Sequence, residues 1–193
     1  MGVIRNLRGF LLGSLFAISA TAAMADDSIV ERLSAVDGTQ ALIAAVLVVD
    51  ESGVLDVSIA EALDSIDDIV LFAPVNSAFE TLLQLEPGFL DGLSVDDVKA
   101  ALPSVLGGLD LTVNDVLSIL LLHVGVVDDD DAEIEDLLED RSVSVAAGML
   151  PVSLGSKGVR INYEANVIKA DVDADNGIIH YIDTVIVGDL LGE

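Results

Sequence analysis

The apolar stretch Gly177–Val187 lies close to the C-terminus and is rich in β-branched and aromatic residues, which favour strands. Asn176 and Gly177 form a turn signal at its start, because Asn and Gly reach positive φ at little steric cost. Split by parity, both faces of the stretch are mostly apolar, a pattern typical of a strand that is covered on both sides. We therefore predict that Gly177–Val187 is the central strand of a sheet.

The first part of the chain shows helical patterns. A Ser or Thr followed three residues later by an acid indicates a capped helix start, and this pattern is found at Ser28, Ser58, Ser94 and Thr112. The almost wholly apolar segment Gln40–Val49 predicts a buried helix, although its β-branched tail leaves a strand as the alternative. Asn76 is placed as the N-cap of a helix that runs to about Leu83.

Strand patterns begin with the short apolar segment Ile69–Ala73, which we expect in the same sheet as Gly177–Val187. Pro74 ends its hydrogen-bond ladder, because proline has no N–H to donate. The segment Val116–Val127 is apolar almost throughout and predicts a helix that runs into a strand near His123.

A short acidic helix is predicted at Ala132–Asp140, and apolar and polar residues alternate after it. Alternation with glycine and asparagine turns between the segments predicts an antiparallel meander, with strands at 142–145, 159–163 and 167–172. Helices therefore come first and strands last, so the sequence predicts the α+β class.

The N-terminal segment Met1–Ala25 has the three-part layout of a secretory signal peptide. It carries Arg5 and Arg8, then an apolar run, then small residues that end in Ala23-Met24-Ala25. The apolar run is too short to span a bilayer. We expect cleavage after Ala25, an exported protein in the periplasm or outside the cell, and a single domain over 26–193.

Acidic residues dominate the composition, with 34 acids against eight bases and a formal net charge of −26 at pH 7. Such a charge repels nucleic acids, polyanionic glycans and anionic membranes. The composition is typical of a protein exposed to high salt, and equally of a very soluble acidic exoprotein. The chain has no cysteine, which excludes disulfides and thiolate chemistry.

Three segments resemble the signature boxes of fasciclin domains, in the family's order. They are Val70–Phe79, Leu120–Val124 and Asn176–Val185, and together they place the resemblance over roughly Ser28 to Leu190. The residues that carry it in the first and last boxes are Phe72, Pro74, Asn76, Phe79, Asn176, Gly177, His180 and Asp183. The resemblance implies a fasciclin-like fold, in which N-terminal helices pack on a mainly antiparallel β-sheet wedge.

The resemblance also implies a function. Fasciclin domains are mostly non-enzymatic modules for cell adhesion or for contact with a protein, cell-surface or matrix component. In many of them a tyrosine precedes the equivalent of His123, and this pair is associated with adhesion; here Leu122 takes the tyrosine position. Leu122 and His123 are thus the candidate partner-binding residues. Some fasciclin-like proteins bind carotenoids or lipids, so a carrier of small apolar molecules is the alternative.

No enzyme motif is found in the sequence after the signal peptide: there is no G-x-S-x-G, H-E-x-x-H, phosphate loop or G-x-G-x-x-G. We therefore predict neither catalysis nor a cofactor. His123 and His180 lie in apolar runs and are interpreted as core histidines with backbone or carboxylate partners. Asp183 is buried by pattern and must be hydrogen-bonded, so we interpret it as a brace for neighbouring N–H or hydroxyl groups.

Two acidic patterns bear on metal binding. Asp171-x-Asp173-x-Asp175 opens like an EF-hand loop, but Asn176 and Ile182 stand where that loop needs glycine and a bidentate glutamate, so calcium is not predicted there. The run of four acids is a weak candidate for cation binding, through Asp128, Asp129, Asp130 and Asp131.

Overall fold

The computed structural model describes residues 27–127 and 132–188. The described residues form seven helices: α1 (Ile29–Ser34), α2 (Gln40–Ser52), α3 (Ile59–Ser65), α4 (Asn76–Leu82), α5 (Val95–Gly108), α6 (Val113–Leu121) and α7 (Ile134–Asp140). They also form seven strands: β1 (Ile69–Pro74), β2 (Val124–Val126), β3 (Ser142–Val145), β4 (Gly148–Gly155), β5 (Gly158–Ile161), β6 (Ala165–Ala174) and β7 (Gly177–Ile182). The α+β prediction is confirmed. The predicted signal peptide lies outside the described residues.

The predicted helix starts are confirmed by their capping geometry. The hydroxyl groups of Ser28, Ser94 and Thr112 each accept the backbone N–H three residues on, and the acid at that position bonds back to the cap. Ser58 also accepts the N–H of Glu61. α2 is helical throughout its length, so the strand alternative for its β-branched tail is wrong. Its buried face packs into the core that covers one side of the sheet.

The seven strands lie in the order β2-β1-β7-β6-β5-β4-β3, and only the β1–β7 pairing among them is parallel. β7 is therefore central and adjacent to β1, as predicted. Ile179 and Tyr181 face the core formed with the helices, whereas Ile182 faces a second core on the other side. The strand ends at Ile182 and not at Val187, because the chain bends at Asp183.

The two edges of the sheet approach each other and make it barrel-like. Ala146 N–H donates to the Val124 carbonyl at 2.8 Å, and Ala147 N–H donates to the Leu121 carbonyl at 3.1 Å. A Cβ on Gly125 would collide with a backbone carbonyl of β3, so glycine permits this approach. The second core thus lies inside this barrel-like sheet, and it is built around Phe72, Val143, Leu150, Val152 and Ile161.

The meander is confirmed in outline, with two corrections. In β6 the pairing register shifts between Val167 and Lys169 and again before Val172, so the predicted alternation breaks and Ile168 is 55% exposed. Tyr163, predicted in a strand, lies in the turn after β5 with φ of 58° and is exposed. The intervening strand β4 was not predicted by alternation.

No single helix within 27–127 and 132–188 is long and apolar enough to cross a membrane. α5 and α6 reach the required length and composition only as a pair, and they are bent by 106° at their junction.

Candidate functional site

His123 lies between α6 and β2 and is 1% exposed. Its Nδ1–H donates to the Ile119 carbonyl at 2.7 Å, and its Nε2 accepts the N–H of Ile186 at 3.0 Å. Burial lowers the pKa of the imidazole to about 4, although the bond to Ile119 acts in the opposite direction. The ring is therefore neutral near pH 7 and joins α6 to the segment after β7. The interpretation as a core histidine is confirmed.

Leu122 and His123, the predicted partner-binding residues, are not fully exposed at the surface. The imidazole of His123 has both nitrogens hydrogen-bonded inside the protein, so neither nitrogen is available to a partner in this conformation. Leu122 is half-buried and packs against the core inside the sheet. Neither side chain forms an exposed patch.

His180 lies on β7, is fully buried and has the opposite tautomer. Its Nε2–H donates to the Ala132 carbonyl at 2.9 Å, while its Nδ1 accepts the N–H of Asp171 at 3.2 Å. The ring stacks on Phe72 with 5.6 Å between ring centres. Burial lowers its pKa, against smaller opposing effects of the Ala132 hydrogen bond and the Asp171 charge. His180 is therefore also a buried core histidine.

Asn76 holds the start of a helix other than its own. It is the first residue of α4, whose N-cap is Val75, so the prediction that Asn76 is the N-cap is wrong. Its Oδ1 instead accepts the N–H of Ala41 at 3.1 Å, and its Nδ2 donates to Gln40 at 2.8 Å. The cap residue of α2, Thr39, makes no side-chain cap bond, so Asn76 supplies the missing acceptor.

Asn176 performs a similar task at the start of β7. Its Oδ1 accepts the N–H of Ile29 at 3.0 Å, at the start of α1. Its Nδ2 donates to the carbonyls of Leu63 at 2.6 Å and Ile66 at 3.1 Å, at the end of α3. One buried amide therefore fixes two helix ends to the central strand.

Asp183 is half-buried, not buried as its pattern indicated. Its carboxylate accepts the backbone N–H of Asn166 at 2.8 Å, the amide of the same residue at 2.9 Å and the hydroxyl of Thr184 at 3.0 Å. Partial burial raises the pKa of this carboxyl, but these hydrogen bonds and the charge of Lys157 outweigh it and hold the pKa below its usual value. The predicted bracing role matches these contacts.

The other signature residues are also structural. Phe72 and Phe79 are buried on opposite sides of the sheet, and Pro74 pairs in register with Ile182. Sequence reasoning missed Glu80, whose buried carboxylate accepts the N–H groups of Gly88 and Leu90, each at 2.9 Å. An acid one turn into a short helix gives no sequence signal for such a role.

Within the part of the chain that the structure describes, no group of three or more His, Asp or Glu side chains could hold a metal ion. The carboxylate of Asp171 accepts the N–H of Ile134 at 2.9 Å instead. The weak cation candidates Asp128, Asp129, Asp130 and Asp131 lie outside the described residues.

A cleft of about 680 Å³ opens between the α2–α3 region and the edge strands β2 and β3. This volume lies in the range of about 300–1,000 Å³ that is typical of small-molecule sites. Its lining is almost wholly apolar, and Leu55, Val57, Ile66, Leu121 and Val126 line it while remaining partly open to solvent. The polar side chains that line it are few: Asp56, Ser58, His123 and Ser144.

One wall of the cleft is the loop between α2 and α3, and Asp50 holds this loop. The Asp50 carboxylate accepts the hydroxyl of Ser58 at 2.6 Å and the N–H of Ile59 at 2.7 Å, while Gly53 ends α2 with φ of 71°. The loop is thus fixed at both ends, and its apolar side chains Leu55 and Val57 line the cleft. Sequence reasoning did not find the cleft, because its lining comes from separate segments.

Comparisons with known proteins agree with this architecture. Residues 52–188, more than half of the chain, match the family model described as Fasciclin domain. Protein sll1483 of Synechocystis is 31% identical over 128 residues, which cover 66% of this chain; the chain spans about 59% of the length of that relative. The solved FAS1 domain pair from the insect cell adhesion molecule Fasciclin I matches 86% of this chain and 52% of its own, with a TM-score of 0.60 and 15% identity, so it shows the fold alone. The chain belongs to the fasciclin domain family.

Proposed function

We propose that this protein is a non-enzymatic binding module for adhesion or for contact with a protein, cell-surface or matrix component, and that the apolar cleft is its binding surface. The observation that carries the proposal is the open cleft, whose rim leaves leucine, valine and isoleucine side chains partly in solvent. Contiguous exposed apolar surface of this kind marks interaction sites. The description of Fasciclin I as a cell adhesion molecule supports the same class of function.

The non-enzymatic part of the proposal is supported by how the titratable groups are engaged. Both ring nitrogens of His123 and of His180 are hydrogen-bonded inside the protein, and the carboxylate of Asp183 braces Asn166. General acid–base catalysis needs such a group within reach of a substrate proton. These three are committed to the fold instead.

We also propose that the protein acts after export, in the periplasm or outside the cell, and that its partners exclude nucleic acids and polyanionic glycans. A net charge of −26 repels both. A second mode of contact, with another acidic surface, is bridged by cations, and Asp128–Asp131 are its candidate from the sequence. Replacing these four residues with Ser should weaken calcium-dependent association. Retention of the protein on a heparin column would contradict the exclusion of polyanionic glycans.

The test of the cleft uses Val57→Asp, which places a charge on its rim. Val57 is 62% exposed, so the substitution should leave the fold intact. Adhesion of source cells to beads coated with the variant should fall well below that of the unchanged protein. The control is Leu154→Asp, since Leu154 is 72% exposed and does not line the cleft. Equal adhesion by all three proteins would contradict the proposal.

A second candidate function is the carriage of a small apolar molecule, such as a carotenoid or a lipid. The volume and concave shape of the cleft favour it. Extraction of protein purified from its source with organic solvent, followed by absorbance and mass spectrometry, should then release a bound apolar compound in stoichiometric amount. The Val57→Asp variant should carry less and Leu154→Asp the same amount. An empty extract would reject this candidate.

A further inference from the structure

Among the residues that the structure describes, the lining of the cleft contains no Lys or Arg. Asp56 contributes a carboxylate to this lining. The imidazole of His123 also lines it, but burial keeps that ring neutral and both of its nitrogens are already bonded. The remaining polar side chains are the hydroxyl groups of Ser58 and Ser144.

The surroundings of the cleft are acidic as well. The segment that forms its loop wall and continues through α3 carries Asp50, Glu51, Asp56, Glu61 and Asp64 and no basic residue. Glu51 is paired with Lys99 of α5 at 2.7 Å, and Lys99 does not line the cleft. Arg32 precedes the lining residue Leu33 but does not itself line the cleft. A ligand in the cleft therefore meets a negative field.

We propose that the cleft selects its ligand by head-group charge: it binds an apolar molecule whose polar end donates a hydrogen bond and carries no negative charge, such as a hydroxyl, and it rejects fatty acids and other anionic amphiphiles. This inference rests on the carrier function proposed above. A hydroxyl at the rim can donate to the Asp56 carboxylate or to a serine oxygen. A carboxylate there has no cation to pair with and is repelled by Asp56, and burying it unpaired is costly.

The experiment compares three probes with the same alkyl chain: decanol, decanoate and decylammonium. Each displaces a neutral fluorescent apolar dye from the intact protein at about pH 8, where carboxylates are ionised and alkylamines are protonated. At low salt decanol should bind about five-fold more tightly than decanoate. A factor of about five is the largest effect on affinity that one exposed charge pair typically has. Decylammonium should bind at least as tightly as decanol. Molar chloride should reduce the difference in affinity between decanol and decanoate, because the Debye length falls to about 3 Å.

Asp56→Asn removes one exposed carboxylate from the lining of the cleft. The matched control, Glu86→Gln, removes one exposed carboxylate that does not line it. Asp56→Asn should strengthen decanoate binding by roughly two- to five-fold relative to decanol binding. Glu86→Gln should have a smaller effect. Decanoate binding as tightly as decanol at low salt, or equal effects of the two variants, would overturn the charge selection while leaving the carrier function standing. Failure of the dye and of every probe to bind would overturn both.

Discussion

At the scale of single residues, the buried polar side chains of this protein connect elements that are distant in sequence. Asn76 and Asn176 bond to backbone groups at the ends of helices they do not belong to. His123 and His180 each use one ring nitrogen as donor and the other as acceptor. Because these partners are buried, loss of one side chain leaves backbone groups unsatisfied, which costs more than the hydrogen bond itself contributes.

Replacement of Asn176 by Ala should destabilise the protein by about 3 kcal/mol. The change removes three hydrogen bonds and leaves buried backbone groups at the ends of α1 and α3 without this partner, at about 1–3 kcal/mol for an unsatisfied group. Urea unfolding measures the loss. Asn114→Ala, on the exposed side of α6, serves as control and should change stability by no more than about 0.5 kcal/mol. Similar losses in both variants would contradict the assigned role.

The buried neutral state of His123 predicts a loss of stability in mild acid. Its pKa is lowered from 6.5 to about 4 in the folded protein, so between these values the unfolded chain binds the extra proton. The contribution of the neutral His123 ring to the free energy of unfolding is complete above about pH 6.5. It is lost as pH falls to about 4, which lowers stability by up to about 3 kcal/mol. His180 shifts in the same direction.

The measurement is urea unfolding across this pH range for the protein and for His123→Gln. Glutamine retains a donor for Ile119 and an acceptor for Ile186, but it does not titrate. The variant should therefore lose less stability on acidification than the unchanged protein. Since both proteins carry the same carboxylates, identical pH profiles would show that His123 does not contribute.

At the scale of elements, the sequence predicted what is encoded locally. The capping boxes at Ser28, Ser94 and Thr112 join residues three apart, and the apolar pattern of β7 identified the central strand. The bond from Ala41 to Asn76 joins residues 35 apart, so it has no local pattern. The register shifts of β6 depend on its pairing with β7, which alternation alone does not reveal. The cleft was missed for the same reason, since distant segments form it.

The parallel contact of β1 with β7 predicts that Gly177→Ala is strongly destabilising. An added Cβ would collide with the backbone of Ile69, and φ at this position is 153°. Gly148 provides the control, because its φ is 147° and a Cβ there meets nothing within 4 Å. Gly148→Ala should cost about 1 kcal/mol from backbone conformation, and Gly177→Ala at least about 2 kcal/mol more. Chemical denaturation measures both, and equal costs would contradict the collision.

At the scale of the whole molecule, charge opposes the fold. The net charge of −26 is distributed over a chain with only eight basic residues, and Lys99–Glu51 joins a lysine to a carboxylate in the described part. Self-repulsion of like charges destabilises a compact state. Packing in the two cores must offset it, since the chain has no cysteine.

Thermal stability should therefore rise with salt. Moving from low salt to molar sodium chloride shortens the Debye length from about 30 Å to about 3 Å and screens the repulsion. The melting temperature, followed by circular dichroism, should increase by several degrees. Sucrose at the same osmolality controls for general solute effects and should raise it less. A flat or falling melting temperature in chloride would show that the acids do not repel one another appreciably.

The parallel pairing of β1 with β7 also sets the order of events during synthesis. Ile69 pairs with Gly177, so β1, the first described strand to be synthesised, cannot form its parallel ladder until β7 has been synthesised. Until then one edge of β1 is open and the ends of α1 and α3 lack the amide of Asn176. Pairings this distant slow folding, because the loop-closure entropy is lost before the contacts form. The sheet of the nascent chain therefore stays incomplete, and exposed to misassembly or proteolysis, until β7 has been made.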